Sequence, residues 1–434
     1  MEAKLSKNQK LEKKDEEGVR LNLVNIYIVV FAISAILSLA IFLYIPKDLY
    51  SIWTFQVSDP PWLPPGYSPT KIVGSHTFGD FQLPYTLALD SNPYGWSFYN
   101  VTMPLGFILY SLLTILPIKV ATLVFLIGGL VFFGKTLKDY FGGCRNSLSY
   151  TNIFLFCSLP VLVCLDRGGS QFIALTFMFK GLGLHNKDSK LGSKYGEFIK
   201  YFHLAMAVSI KIYLIIPIVL IMIVEKKTLV FIKKFLVIFV STNFILSFIY
   251  GGPLRVVRGL IEAYLFQTGE SDPGWIFGGV SLSKFIASLF FYNHTFSESM
   301  AFATVYQNYV FVPGVLYILF IFALVLRQQF SKNYKIAIIL STVFLVTPVS
   351  GAYTLIVTPF MIAIIFGDLH QFYSFNLRTK VRYLTLVLVI FMSMMPIPSK
   401  YYLTVIPGLW VFHFLVLVIL AVYDKAILII RKPL

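Results

Sequence analysis

Charged residues are scarce in this chain. Of its 434 residues, 13% are charged and 57% are hydrophobic, where soluble domains carry roughly 25% charged residues. That excludes an ordinary soluble fold, and the mean hydropathy of +0.77 agrees. Cysteine is nearly absent. Cys144, Cys157 and Cys164 lie in or near apolar runs, form no CxxC and have no metal-ligand spacing, which excludes a disulfide framework and a zinc site of that kind. The histidines show no ligand spacing either, so no metal and no cofactor is expected. Strict alternation of apolar and polar residues is missing as well. A transmembrane barrel would show it over segments of about ten residues. The apolar runs here are mostly longer, and helices are the other structure that satisfies its backbone in lipid.

Acidic residues are outnumbered, with 20 Asp and Glu against 36 Lys and Arg. No folded basic domain is available to hold a nucleic acid, and none is expected as a partner. The cations instead cluster between apolar runs, as in the cytoplasmic loops of membrane proteins. The first apolar run follows a polar, lysine-rich start and is long enough to span, so it reads as a retained helix rather than a cleaved leader.

Oriented by these clusters, residues 1–24 are a cytoplasmic basic tail and residues 25–434 one transmembrane domain. The expected fold is all-α, a polytopic bundle of about twelve membrane helices, the first over 25–44. Two large segments fall on the extracytoplasmic side. The first, 45–117, is rich in Pro, Trp, Tyr and Gly and ends in an interfacial helix over 102–116. The second is 251–310. One helix is expected over 150–165, another over 171–184, and two short ones over 202–224 with Lys211 near their outer turn. Both termini are placed in the cytoplasm of a multi-pass cell-membrane protein.

Four places carry candidate chemistry. Asp80 sits in Gly79-Asp80-Phe81, followed by Pro84-Tyr85, Ala88 and Asn92-Pro93-Tyr94. A carboxylate among aromatics at the lipid boundary can have a raised pKa and act as a general base on a hydroxyl. It can equally cap a short loop helix. The tip Asp166-Arg167-Gly168-Gly169-Ser170-Gln171 offers a close backbone approach and a guanidinium suited to phosphate, or is a plain hairpin turn. Lys211 lies inside an apolar run, where a cation is costly and marks function by default, unless it snorkels to the interface. The stretch Thr347-Pro348-Val349-Ser350-Gly351-Ala352-Tyr353 breaks a helix pair at the outer surface, where unwound backbone can line a cavity or simply turn. In the second outer segment, Arg255, Arg258 and Glu262 share one helix face, which a solvated helix explains as well as a site does. Lys284 lies further along the same segment.

These stretches, in this order, resemble glycosyltransferase family 87 of the GT-C superfamily, which includes polyprenol-phosphate-mannose-dependent α-mannosyltransferases. The likeness is carried by Gly79-Asp80-Phe81 with Tyr85, Ala88, Asn92-Pro93-Tyr94 and Tyr99. It continues through Arg167-Gly168-Gly169-Ser170-Gln171, Ser209-Ile210-Lys211 with Pro217, Val280-Ser281-Leu282, and Thr347-Pro348-Val349-Ser350. Together they cover most of residues 78–359. The resemblance implies a GT-C fold with its active site in an outer cavity. Asp80 would be the base that deprotonates an acceptor hydroxyl. Lys211 and Arg167 would hold the leaving polyprenyl phosphate, and Gln171, Tyr85 and Tyr353 would line the substrate site. The donor would be a polyprenyl-phosphate sugar, with mannose the family default, and the acceptor a glycolipid or glycan. Where family members carry Trp and His after the last turn, this chain has Gly351, Tyr353 and Thr354, which leaves hydrogen bonding there to Tyr353. Two other classes fit the composition. A transporter or flippase for lipid-linked sugars would use the intramembrane lysine but require no acid on the first outer loop. A non-catalytic subunit of an envelope complex would require neither.

Overall fold

The computed structural model describes residues 7–44, 79–90, 93–94, 102–142, 144, 146–183, 194–226, 229–267, 281–293, 296–326, 330–346, 352–368, 372, 374–396 and 399–430. Among them the protein is all-helical, with no strand. Helix α1 (Lys7–Tyr44) is followed by α2 (Gly79–Ala88), α3 (Pro104–Leu113), α4 (Ile118–Tyr140), α5 (Ser147–Phe156), α6 (Leu159–Arg167) and α7 (Gln171–Leu182). Next come α8 (Lys194–Ile210), a 3₁₀ turn at Ile212–Leu214, α9 (Ile215–Val224), α10 (Leu229–Ser247), α11 (Pro253–Gln267), α12 (Leu282–Asn293) and α13 (Phe296–Tyr306). The chain ends with α14 (Val312–Leu326), α15 (Lys332–Leu340) with a further turn at Thr342–Leu345, a 3₁₀ segment Ala352–Val357, α16 (Thr358–Phe366), α17 (Leu377–Met394) and α18 (Ser399–Ile430).

Among the described residues, four helical stretches are long and apolar enough to cross a membrane: Gly18–Leu37 within α1, α4, α10, and Val405–Tyr423 within α18. The bent pair α5–α6 makes a fifth if it is one span. A single helix was expected over 150–165, but the chain bends by 65° between α5 and α6. The cause is Pro160 in the first turn of α6. It has no N–H, and its ring clashes with a carbonyl of the preceding turn. Ser158 becomes extended, and the Tyr27 hydroxyl donates to the Cys157 carbonyl at the break. A backbone group released from a helix in an apolar interior requires such a partner.

Two further boundaries differ from expectation. The basic start is already helical from Lys7, and Arg20 is buried there, donating to the Phe366 carbonyl at 3.0 Å. Helix α8 begins at Lys194, in the charged stretch ahead of the helices expected over 202–224. Hydropathy marks where a helix lies in lipid. It does not mark where the helix ends, because water satisfies the backbone of a polar continuation equally well.

The elements run between two ends. One end gathers the ion pairs Lys234–Glu197 (2.9 Å) and Lys332–Glu225 (2.6 Å) and the Asn333–Asp368 hydrogen bond (2.8 Å). It is the basic end. The other carries α2, the turn after α6, Lys211 and the 3₁₀ segment 352–357. A large apolar core fills the bundle between them. A separate aromatic cluster of Phe81, Tyr85, Tyr94, Phe107, Tyr110, Phe125 and Tyr250 lies under α2.

Helix α3 seats this second cluster on the bundle. Its first turn abuts the end of α8, where Met103 N donates to Ser209 O at 2.8 Å. A Cβ on Gly106 would lie 2.7 Å from the Ser209 carbonyl group. Backbone atoms cannot yield as a flexible side chain does, so Gly106→Ala must part the two helices. The expected loss is about 1–3 kcal/mol, read as a lower unfolding temperature of the purified full-length protein. An unchanged temperature would mean that the helices are not this close.

Candidate active site

Helix α2 is short and contains Pro84. Packing holds it in place. Phe81 is fully buried, with its ring centroid 4.5 Å from Phe125, 5.8 Å from Tyr85 and 5.9 Å from Tyr110. The Tyr85 hydroxyl donates to the Leu116 carbonyl at 2.7 Å. Tyr85 thus anchors α2 from beneath, and its hydroxyl is engaged by the backbone. Asp80, in the first turn of α2, stays half-buried at the rim.

Tyr110 of α3 links this rim to a part of the chain far away in sequence. Its hydroxyl lies within interaction range of Ser170, Asp80 and Cys164. Helix α2, which bears Asp80, also packs on α6, the helix that leads into the turn before α7. That turn is built by glycine. Gly168 closes α6 with φ 68°, a conformation open to residues without a Cβ. At Gly169 a Cβ would meet Gln171 Oε1 at 2.5 Å and Cys164 Sγ at 2.7 Å. Gln171 is buried as the first residue of α7. Arg167 is the last residue of α6; its side chain, with that of Asp166, lies outside the described residues.

Lys211 stands where α8 stops. Its backbone is extended, with φ −140° and ψ 96°. Its N–H still donates to Ala207 O, and its carbonyl accepts from Leu214 N, both at 3.0 Å. The expected break at this lysine is present, and the side chain is half-buried. Asn243 of α10 holds the neighbourhood together. Its Nδ2 donates to Ser209 Oγ at 2.9 Å, and its Oδ1 accepts from Leu105 N at 3.0 Å. The N–H groups at the start of a helix have no partner within it, and Asn243 supplies one across helices. A polar side chain within the apolar run of α10 was the available sequence signal.

The 3₁₀ segment that includes Tyr353 packs on α6 and α7. The Tyr353 side chain and residues 347–351 lie outside the described residues. Elements from all four candidate stretches therefore meet at one end of the bundle, with α3 as the common neighbour of Asp80, Ser170 and Ser209.

Other candidates fall elsewhere. Arg258 and Glu262 form an exposed i,i+4 pair on α11 at 2.7 Å, the solvated helix face. His413 is fully buried between Thr385 Oγ1 (3.0 Å) and the Tyr334 hydroxyl (3.3 Å), a satisfied core histidine. Among the described residues, no three His, Cys, Asp or Glu side chains are arranged to hold a metal ion. The chain matches no family model, no curated protein and no solved structure.

Lys284 departs from the solvated picture of the second outer segment. It is 4% exposed on α12, and burial pushes its pKa down to about 7. An unfolded lysine titrates near 10.4. Between these values the unfolded chain binds more protons, so stability rises with pH across that window. Purified protein is expected to gain unfolding temperature from pH 7 to 9, more steeply than a Lys284→Met variant. Equal slopes would contradict the burial.

Proposed function

We propose that this chain is a glycosyltransferase moving a hexose, mannose by the family resemblance, from a polyprenyl-phosphate donor to a glycolipid or glycan acceptor, with inversion at the anomeric carbon. The observation that carries this reading is the placement of Asp80. Asp80 lies on a helix that packs on α6 and within electrostatic range of Tyr110, which also neighbours Ser170, at the bundle end where α8 breaks at Lys211. Five motif stretches in family order support it from the sequence side.

The reading extends to topology. Helices α1, α4, the pair α5–α6, then α7, α8, α9, α10, α14, α15, α16, α17 and α18 are taken as about twelve passes. The basic end faces the cytoplasm, by the positive-inside tendency. The site then opens on the extracytoplasmic face, where a lipid-linked donor lies in the adjacent leaflet.

In this mechanism the Asp80 carboxylate takes the proton of the acceptor hydroxyl. The hydroxyl oxygen forms a bond to the anomeric carbon from the face opposite the leaving group. The bond between that carbon and the phosphate oxygen breaks, and its electron pair leaves with polyprenyl phosphate. Negative charge develops on that phosphate, and fixed cations stabilise it most where water is excluded. Lys211 and Arg167 are assigned to this task. Gln171 and the segment bearing Tyr353 border the sugar, while Tyr85 acts indirectly by seating α2.

Asp80→Asn removes the base and keeps the shape. It is expected to lower transfer from a radiolabelled polyprenyl-phosphate hexose by about 10²–10⁴-fold while donor still co-purifies with the protein. A transporter of lipid-linked sugars would lose little on this substitution. Full transfer by the Asp80→Asn protein would overturn the reading.

A further inference from the structure

One face of α4 continues from lipid into a cluster of cations. Val120, Leu123, Val124, Ile127 and Val131 recur at helical spacing and are all exposed, and Phe132 flanks them on the same helix. Gly128 lies in this row with nothing within 4 Å of where its Cβ would be, so the row has a notch. From Leu123 to Phe132 the helix rises about 14 Å, close to the half-thickness of a hydrocarbon core about 30 Å deep. The row ends in charge. The Lys180 ammonium of α7 sits over the Phe132 ring, 4.7 Å from its centroid. Lys135 and Lys138 continue the same face of α4 and are exposed. His203 of α8 lies within electrostatic range of Lys180. Asp139 is the acid next to them on α4. Among the described residues, no carboxylate forms an ion pair with Lys135, Lys138 or Lys180.

The geometry points to a binding site for an anionic phospholipid at the basic end of α4, with an acyl chain along the Leu123–Phe132 row and the headgroup phosphate between Lys180 and Lys135. Charge complementarity selects the occupant. An apolar row alone takes any lipid, but three ammonium groups at headgroup depth favour one with net negative charge. Phe132 has two roles here, as the end wall of the acyl row and as the ring that fixes the Lys180 ammonium. The site lies at the opposite end from Asp80. It rests on the membrane placement of α4 alone, independently of the transferase reading.

The test uses the full chain in phosphatidylcholine vesicles containing a minor share of phosphatidylglycerol. Photoreactive benzoylphenylalanine replaces Phe132, and the lipid adducts are weighed by mass spectrometry. Phosphatidylglycerol is expected in the adducts at least about fivefold above its share of the bilayer. The same probe at Ile419, an exposed position on α18, is expected to report the bulk ratio. Lys135→Gln with Lys180→Gln should return position 132 to the bulk ratio. Lys180→Arg should keep the enrichment, and Lys135→Gln alone, at an exposed position, should lower it in part. Bulk composition at 132 in the parent protein, absence of a lipid adduct there, equal enrichment at Ile419, or enrichment that survives the double substitution would each overturn the site.

Discussion

The start of α3 lies on the end of α8 with backbone against backbone. Met103 donates to the Ser209 carbonyl, Gly106 leaves no room for a side chain, and Asn243 ties both helices to α10. Without a hydrophobic driving force between helices in lipid, close approach at small residues and interhelical hydrogen bonds supply the adhesion. Everything built at this end follows from that contact. It sets the height of Tyr110, which lies within interaction range of both Asp80 and Ser170. It also fixes where α8 ends, and so where Lys211 emerges from helix into extended backbone.

The two ends of the molecule are made differently. At the basic end, several charges are paired or stacked: Lys332 with Glu225, Lys234 with Glu197, Arg378 over Tyr423, Arg382 over Phe330. At the other end, polar groups sit on breaks in helices and are positioned by aromatic packing beneath. Breaks leave backbone groups free to face a ligand, and in an apolar bundle they persist only where other groups satisfy them. The Tyr27 hydroxyl on the Cys157 carbonyl shows the same rule away from the candidate site.

Much of the fold was legible because apolar length signals a helix directly. The candidate spans at α4, α10 and α18, the apolar helices α3 and α14 and the interruption at Lys211 all carry that signal. Helix starts in polar sequence, as at Lys7 and Lys194, were not legible, since nothing in hydropathy distinguishes a solvated helix from a loop. The bend at Ser158 was signalled by Pro160, but the apolar run across it masked the signal. Of the candidate site, the residue types were legible and their convergence was not. That Asp80 and Ser170 share Tyr110 as a neighbour is a tertiary fact, written in no local pattern. Nor did the sequence distinguish a Tyr85 facing a substrate from one bonded to the Leu116 carbonyl, because both need an aromatic ring and a hydroxyl.

The most direct measurement is a density map of the full-length protein in lipid nanodiscs loaded with a polyprenyl-phosphate hexose. The account predicts phosphate density beside the Lys211 ammonium, with the sugar between it and the Asp80 carboxylate. Phosphate density at any other part of the bundle, with Asp80 turned away from the sugar, would contradict it.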